Sequence, residues 1–138
     1  MLLHKYRVRG EICSRNGGPR RSCGAPGSSA PIEDAKANCA DPTNVRFIQG
    51  KTEDVLPKLG ARAQKVILDS ARVGCERAVL GALVEARPER IVYVSCDPST
   101  LARDLAIMRQ GGYTLQSVQP IDMFPQTYHV ESVSLLTR

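Results

Sequence analysis

Two side chains that could take part in chemistry stand directly after apolar runs typical of buried strands. Asp69 follows the run 66–68, and Cys96 follows the run 91–94 with one serine between. In open α/β sheets, ligands bind beyond the carboxyl ends of the strands, so we expect both groups to share one site. Cys96 precedes a helix whose amide dipole favours a thiolate, the nucleophilic form of cysteine. A lone cysteine is more often an inert buried residue, so position alone assigns no role.

Apolar periodicity predicts alternating strands and helices that would hold these groups. We expect strands at residues 45–48, 66–68, 91–94, 113–118 and 130–136. We expect helices at 32–40, 52–59 and 76–86, and another, capped by Ser99 or Thr100, that runs to Gln110. Short joints between alternating elements are typical of an α/β domain with a mainly parallel sheet.

Composition restricts the class of protein. The chain has 138 residues, 42 % hydrophobic, with 4 % aromatics and no Trp, so one core of aliphatic side chains is expected. No apolar run approaches the roughly 18 residues of a membrane span, and the first residues lack a secretory pattern. The five Cys are scattered without metal-site spacing. We therefore expect a cytoplasmic protein with no metal and no membrane partner.

The net charge of +5 lies entirely in the first thirty residues. Residues 1–30 carry six Lys or Arg against one Glu, whereas residues 31–138 hold thirteen basic and thirteen acidic side chains. Gly, Pro and Ser dominate residues 13–30, so we expect 1–30 to be a mostly irregular basic segment. Such a segment either attracts RNA phosphate nonspecifically or is a solvated arm.

Two longer motifs carry a resemblance to a known family. The first is Ser95-Cys96-Asp97-Pro98, followed by Thr100-Leu101-Ala102-Arg103-Asp104; the second is Asp122-Met123-Phe124-Pro125-Gln126-Thr127-Tyr128-His129-Val130-Glu131. They resemble the Ser-Cys-Asn-Pro and Asp-Met-Phe-Pro-x-Thr-x-His-x-Glu motifs of the uracil-C5 RNA methyltransferases, which make 5-methyluridine in transfer and ribosomal RNA. Residues 69–74 resemble the family's Asp-Pro-Pro-Arg-x-Gly segment less closely. The resemblance covers about residues 31–138.

The resemblance implies a role for each matching residue. Cys96 would be the nucleophile that adds to carbon 6 of uracil, and Glu131 would accept the carbon-5 proton. Asp69 would lie near the cofactor, S-adenosylmethionine. Arg72 would contact the phosphate of the RNA substrate or form a helix-surface salt bridge, and His129 would contact the base pocket or be structural. Arg103 either meets RNA phosphate or forms a helix-surface salt bridge.

The resemblance also implies a fold and a partner. We expect an incomplete Rossmann-like class I methyltransferase fold, with a mainly parallel sheet and an antiparallel C-terminal strand. Residues 31–138 would be the C-terminal part of the catalytic domain. The partner would be ribosomal or transfer RNA, whose target uridine flips out of its stack, and the protein would be a monomer.

Several positions depart from the family's pattern. Asp97 replaces Asn and adds a negative charge beside a cysteine that must ionise, unless its side chain faces away. Residues 1–30 contain neither the family's glycine-rich cofactor loop nor its ribose-binding acid. We therefore expect the strand at 45–48 to be detached from its neighbours and the chain alone to bind cofactor weakly or not at all. This pattern suggests a truncated or mistranslated part of a longer gene.

Two other functions remain as alternatives. One is a catalytically inactive remnant that at most binds RNA through its basic segment. The other is a thiol-dependent hydrolase, which is disfavoured because neither of the two histidines, His4 and His129, lies in a recognisable nucleophile–base motif.

Overall fold

The computed structural model describes residues 2–3, 11–14, 46–49, 52–59 and 64–138. Side chains are described for residues 52–56 and 64–138. The helix expected at residues 32–40 lies outside the described residues. In the described part of the chain, no helix is both long and apolar enough to cross a membrane.

Strands and helices alternate through most of the described chain. The strands are β1 (Leu2–Leu3), β2 (Glu11–Ser14), β3 (Arg46–Gln49), β4 (Lys65–Asp69), β5 (Arg90–Ser95), β6 (Thr114–Ile121) and β7 (Glu131–Thr137). The helices are α1 (Thr52–Leu59), α2 (Arg77–Ala86) and α3 (Pro98–Gln110). Each strand or helix that was expected within the described residues is present, with bounds shifted by at most a few residues.

The sheet is mixed, and the expectation of a mainly parallel sheet was wrong for its described strands. They lie in the order β3-β2-β1-β4-β5-β7-β6. β1 with β4 and β4 with β5 are parallel pairs, whereas the other four neighbouring pairs are antiparallel. The expected antiparallel C-terminal strand is β7, which lies between β5 and β6. The fold is therefore α/β with a mixed, partly parallel sheet.

Two short strands, β1 and β2, lie within the 1–30 segment that was expected to be mostly irregular, and the rest of that segment lies outside the described residues. β1 pairs with β4 and β2 pairs with β3, so β3 is not detached from the sheet as expected. Only seven residues separate Leu3 from Glu11. Because a parallel connection needs a dozen or more residues, β1 and β2 can be neighbours only as an antiparallel pair.

Three helices cover one face of the sheet. The buried cluster joins α1, α2 and α3 to alternate residues of β4, β5 and β7, including Val66, Ile91 and Leu136. The alternation follows from the pleat, which directs successive side chains to opposite faces. On the opposite face Ile67 is 41 % exposed, and Val92 and Leu135 are only partly buried. The helix-covered face therefore holds the core of the described residues.

Candidate functional site

One edge of the sheet collects the ends of four strands. β4 and β5 end there in parallel, with Asp69 opposite Val94. β7 begins there, because Ser132 pairs with Ser95 at the end of β5. β6 also ends there, with Ile121 opposite Glu131. The residues that follow β4 and β5, and the segment that joins β6 to β7, therefore meet at this edge.

Strand register places Cys96 and Glu131 next to each other along this edge. Ser95 and Ser132 form the last described pair between β5 and β7. Cys96 follows Ser95, and Glu131 precedes Ser132, so both are the next residue toward this edge. Both are partly buried, and Cys96 is a free thiol. Opposite residues of an antiparallel pair lie about 4.5–5.5 Å apart between Cα atoms, so the two side chains leave the strands close together.

The alternation of the pleat assigns these groups to one face. Glu131 shares its face with Val133, and Asp69 shares its face with Ile67, because residues two apart in a strand point the same way. This face is opposite the three helices. The carboxylates at the edge therefore lie on the side of the sheet that the described helices leave open.

Ser95 shapes the turn that contains Cys96. Its buried hydroxyl oxygen accepts a hydrogen bond from the Asp97 amide at 3.2 Å and donates one to the Asp97 carbonyl at 3.1 Å. Both bonds span Cys96, so the backbone on either side of the thiol is held by one buried side chain. A fixed turn keeps the sulfur in one position at the strand end.

Asp97 caps α3, so the expectation that Ser99 or Thr100 is the cap was wrong. The Asp97 carboxylate accepts hydrogen bonds from the Ser99 amide at 2.9 Å and the Thr100 amide at 3.0 Å, and Pro98 begins the helix. The bond from Thr100, then that from Ser99 and the charge of Arg72, lower the pKa of Asp97. The carboxylate is thus directed at the helix amides, which offset its charge.

A fully buried carboxylate ties the segment after β4 to α3. Asp104 Oδ2 accepts hydrogen bonds from the Tyr93 hydroxyl at 2.6 Å and from the Cys75 amide at 2.7 Å. Asp104 Oδ1 accepts one from Arg103 Nε at 2.8 Å. Because a buried polar atom is costly without partners, this network holds α3, β5 and residues 73–75 in one arrangement.

Arg103 belongs to the same network. Its Nη2 lies 2.7 Å from Asp104 Oδ1 and donates to the carbonyls of Val73 at 3.1 Å and Cys75 at 3.3 Å. Gly74, at φ +79°, lies so close that a Cβ there would collide with the Arg103 guanidinium. Of the two roles left open for Arg103, the structure shows the ion pair, which it makes with Asp104.

Arg72 reaches across the edge to the segment between β6 and β7. Its Nη2 donates a hydrogen bond of 3.4 Å to the Tyr128 hydroxyl, and its guanidinium lies 5.9 Å from the Tyr128 ring centroid. The bond to Tyr128 is the largest cause that raises the pKa of Arg72, and the charges of Asp97 and Cys96 add to it. The Thr100 hydroxyl donates to the Arg72 carbonyl at 3.2 Å. Arg72 therefore stands beside the cysteine turn.

A tight turn shapes the segment between β6 and β7. The Thr127 amide donates to the Phe124 carbonyl at 3.1 Å, and Gln126 has a φ of 67°. Pro125 precedes Gln126, which is the order that a type II turn favours. His129 follows, half-buried, with its ring 4.2 Å from the Tyr128 ring and 6.1 Å from the Phe124 ring. His129 thus packs among aromatic side chains.

The structure brings the predicted site residues to one edge, with one addition. Asp69, Cys96 and Glu131 lie at strand ends there, while Arg72 and His129 both contact Tyr128. Sequence reasoning missed Tyr128, which is 82 % exposed. An aromatic residue in a polar connecting segment was the available signal.

Asp69 offers one contact for a nucleoside cofactor. It lies partly buried at the end of β4, the strand that pairs with β1. The connection of seven residues between β1 and β2 is too short for a strand–loop–helix phosphate or methionine cradle. The described residues therefore fit one side of S-adenosylmethionine and do not enclose it.

Comparison with known proteins gives a family and several relatives. The family model described as tRNA (uracil-5-)-methyltransferase matches residues 58–138. Uncharacterized RNA methyltransferases from Bacillus cereus and Caldanaerobacter subterraneus are 49 % and 52 % identical over 112 residues, which is 78 % of this chain. The chain spans about a quarter of the length of these relatives, at 24 % and 25 %.

A solved structure agrees with the sequence matches. The Pyrococcus abyssi tRNA (uracil-54, C5)-methyltransferase in complex with S-adenosyl-L-homocysteine matches with a TM-score of 0.50 and 39 % identity. The match covers 54 % of this chain and 18 % of that protein. The α/β arrangement seen here is thus part of the arrangement in that enzyme.

Proposed function

Because the chain belongs to the tRNA (uracil-5-)-methyltransferase family, we propose that it contributes the catalytic residues for methylation of uridine at carbon 5 in transfer or ribosomal RNA. S-Adenosylmethionine, when bound, would supply the methyl group, and Asp69, at the end of β4, is proposed to contact it. The P. abyssi relative was solved in complex with S-adenosyl-L-homocysteine, which is what S-adenosylmethionine becomes when it loses its methyl group, and this supports the choice of donor. We propose a monomer in the cytoplasm, with RNA as its partner.

One observation carries the proposal: β5 and β7 deliver Cys96 and Glu131 to neighbouring positions. Methylation of carbon 5 needs a nucleophile for carbon 6 and a base for the carbon-5 proton. A thiol and a carboxylate that leave adjacent strands at the same edge can reach two adjacent carbons of one ring. The pairing of β5 with β7 supports this arrangement.

The residues would act in sequence on the uracil ring. Cys96, as the thiolate, forms a bond to carbon 6, and the ring electrons move to give an enolate that is nucleophilic at carbon 5. Once carbon 5 carries the methyl group, Glu131 removes its proton. The carbon–sulfur bond then breaks, which restores the ring double bond and the thiolate. Since carbon 5 and carbon 6 are shielded in stacked RNA, the uridine must flip out.

Covalent trapping tests the nucleophile. RNA that contains 5-fluorouridine cannot lose a proton at carbon 5, so methylated adduct should accumulate and migrate as a crosslinked band in the presence of S-adenosylmethionine. Peptide mass spectrometry should locate the adduct at Cys96. An adduct at another cysteine, or none when the longer protein is used, would overturn the assignment.

Two variants separate the proposed roles. Cys96→Ala should abolish both crosslinking and methyl transfer, because no carbon–sulfur bond can form. In Glu131→Gln, Cys96 should still add to the uracil ring of unmodified RNA. The methylated adduct should then accumulate, because this variant has no base to remove the carbon-5 proton. If Glu131→Gln releases product at the unsubstituted rate, Glu131 is not the base.

A second candidate is the inactive remnant that at most binds RNA. The specific observation in its favour is the short connection between β1 and β2, which leaves no room there for a cofactor cradle. Transfer of labelled methyl groups to unmodified RNA distinguishes the two functions. Transfer that Cys96→Ala removes supports the enzyme, whereas no transfer by either protein supports the remnant.

A further inference from the structure

The sheet edge presents an exposed aromatic ring that the proposed mechanism does not use. Tyr128 is 82 % exposed, although a large apolar ring in water is unfavourable. Phe124 and Met123, in the same segment, are 48 % and 61 % exposed, and Val73 beside Arg72 is 73 % exposed. Exposed apolar side chains gathered around one position mark a binding surface more often than scattered ones do.

The Tyr128 ring is held in place on the protein side. The His129 ring lies 4.2 Å away at an interplanar angle of 39°. The Arg72 guanidinium donates to the Tyr128 hydroxyl and lies 5.9 Å from the ring centroid. These contacts fix the ring's orientation while leaving most of its surface open. An aromatic ring with an adjacent Arg is the arrangement that proteins use to stack single-stranded nucleobases.

The charges of the edge indicate which part of a nucleic acid can lie against it. Asp69, Asp97 and Glu131 are carboxylates at or beside this edge, and Asp122 begins the segment that contains Tyr128. Carboxylates repel phosphate, so the sugar–phosphate backbone is disfavoured there. A neutral base can stack on the ring and donate its N–H groups toward a carboxylate.

From these observations we propose that Tyr128 is a stacking platform for a base that neighbours the methylated uridine in single-stranded RNA. The proposal rests on the proposed function, which supplies the RNA, and adds a substrate-positioning residue that the mechanism does not include. Arg72 is a positioning residue for the ring, because it contacts the Tyr128 hydroxyl from the segment beside the cysteine turn. Stacking next to Cys96 would hold the strand while the target uridine is out of its stack.

Fluorescence of 2-aminopurine measures the stacking directly. The probe is a short single-stranded RNA in which 2-aminopurine flanks each uridine, and stacking on a protein ring quenches it. The unsubstituted chain should quench the signal, and Tyr128→Phe, which keeps the ring but loses the contact with Arg72, should still quench it with an affinity between those of the unsubstituted chain and Tyr128→Ala. Tyr128→Ala should lose the quenching and bind about 5- to 150-fold more weakly, as for other single stacked bases.

Leu115→Ala is the matched control, since Leu115 is an exposed apolar residue, at 44 %, near the opposite end of β6. Its affinity for the probe should equal that of the unsubstituted chain. Circular dichroism of each variant separates loss of stacking from loss of fold. Equal quenching by folded Tyr128→Ala, or no quenching by the unsubstituted chain, would overturn the stacking platform.

The trapping experiment keeps the two proposals separate. If Cys96 forms the 5-fluorouridine adduct and Tyr128→Ala binds the probe normally, only the stacking proposal fails. If no adduct forms while Tyr128→Ala loses quenching, the proposed function fails and the stacking platform stands as an RNA-binding feature.

Discussion

At the scale of single residues, the carboxylate of Asp97 caps α3. The sequence shows a carboxylate where the resembling family has an amide, and charge alone suggested interference with Cys96. The structure directs that carboxylate at the amides of Ser99 and Thr100. Residue type was visible in the sequence, but the direction of the side chain depends on the turn that Ser95 fixes, which sequence periodicity does not report.

Stability in acid should therefore depend on Asp97. Its pKa is lowered in the folded state, chiefly by the Thr100 amide, so its stabilising effect is complete above the unfolded pKa and is lost as pH falls through the folded pKa. Asp97→Asn keeps a cap and should weaken this acid dependence, whereas Asp97→Ala should lower the melting temperature by a few degrees. Thermal melts across the acid range measure both. Identical acid profiles for Asp97→Asn and the unsubstituted chain would contradict the prediction.

Cys75 should differ from Cys96 in reactivity. Burial raises the pKa of the Cys75 thiol to about 12, so almost none of it is thiolate near neutral pH. A brief alkylation pulse at about pH 8, followed by peptide mass spectrometry, should leave Cys75 unmodified until urea unfolds the chain. The contribution of this thiol to stability should be complete below its unfolded pKa and be lost as pH rises through about 12. Rapid labelling of Cys75 in the folded chain would contradict the raised pKa of its thiol.

At the scale of elements, replacing glycine with alanine should have opposite effects on stability at Gly111 and at Gly81. A Cβ at Gly111 would collide with the Val84 side chain of α2, whereas a Cβ at Gly81, within α2, would meet nothing within 4 Å. Gly111→Ala should lower the free energy of unfolding by about 1–3 kcal/mol through overpacking. Gly81→Ala should raise it by about 0.5–1 kcal/mol through the preference of Ala for helix.

Urea denaturation of both glycine variants measures these changes. Adding Val84→Ala to Gly111→Ala should recover part of the loss caused by the collision. If the double variant is no more stable than expected from the sum of the single changes, α2 and α3 do not meet at this point as described.

The network around Asp104 should control how the segment after β4 is placed. Asp104→Ala leaves the Tyr93 hydroxyl and the Cys75 amide without their shared acceptor, and should cost about 1–3 kcal/mol of unfolding free energy for each of these two donors. Tyr93→Phe removes one partner and keeps the acceptor, so its cost should be smaller, about 1–2 kcal/mol. Chemical denaturation compares the two variants. Equal costs would indicate that Asp104 acts only through Tyr93.

The presence of helices and strands was predicted more successfully than the hydrogen-bond partners that pair or cap them. The apolar runs at 66–68 and 91–94 correctly indicated β4 and β5, although only alternate residues of these strands are buried. The cap of α3 was misassigned because Asp97, Ser99 and Thr100 are all good capping residues. β1 was missed because two leucines form too short a run to stand out from a charged surrounding sequence.

At the scale of the whole molecule, the sheet edge that carries the candidate site could be predicted from the sequence. The pairing and direction of the strands could not. The rule that ligands bind beyond strand ends depends only on alternation of elements, which periodicity reveals. Pairing between β1 and β4 joins residues some 65 positions apart, and no local pattern specifies it. Tyr128 was missed for the same reason, since its contact with Arg72 spans 56 positions.

The open arrangement of the described site predicts weak cofactor binding by this chain. Calorimetric titration with S-adenosylhomocysteine should show no saturation at micromolar concentrations, because the proposed contact from Asp69 would hold only one side of the ligand and the connection after β1 is short. A longer protein that includes a glycine-rich loop should bind more tightly. Micromolar affinity of the isolated chain would show that residues outside the described ranges complete the site.

The placement of β1 also sets an order of assembly. Residues 64–138 contain β4 to β7 with two helices, and their strand pairings close without help from the first residues. The pairing of β1 with β4 closes a loop of more than sixty residues. Because closing a long loop costs entropy, this pairing should form slowly. During synthesis, Leu2 and Leu3 would leave the ribosome before β4 does, and they would remain unpaired with β4 until it is available. In that interval they are apolar residues that chaperones can bind.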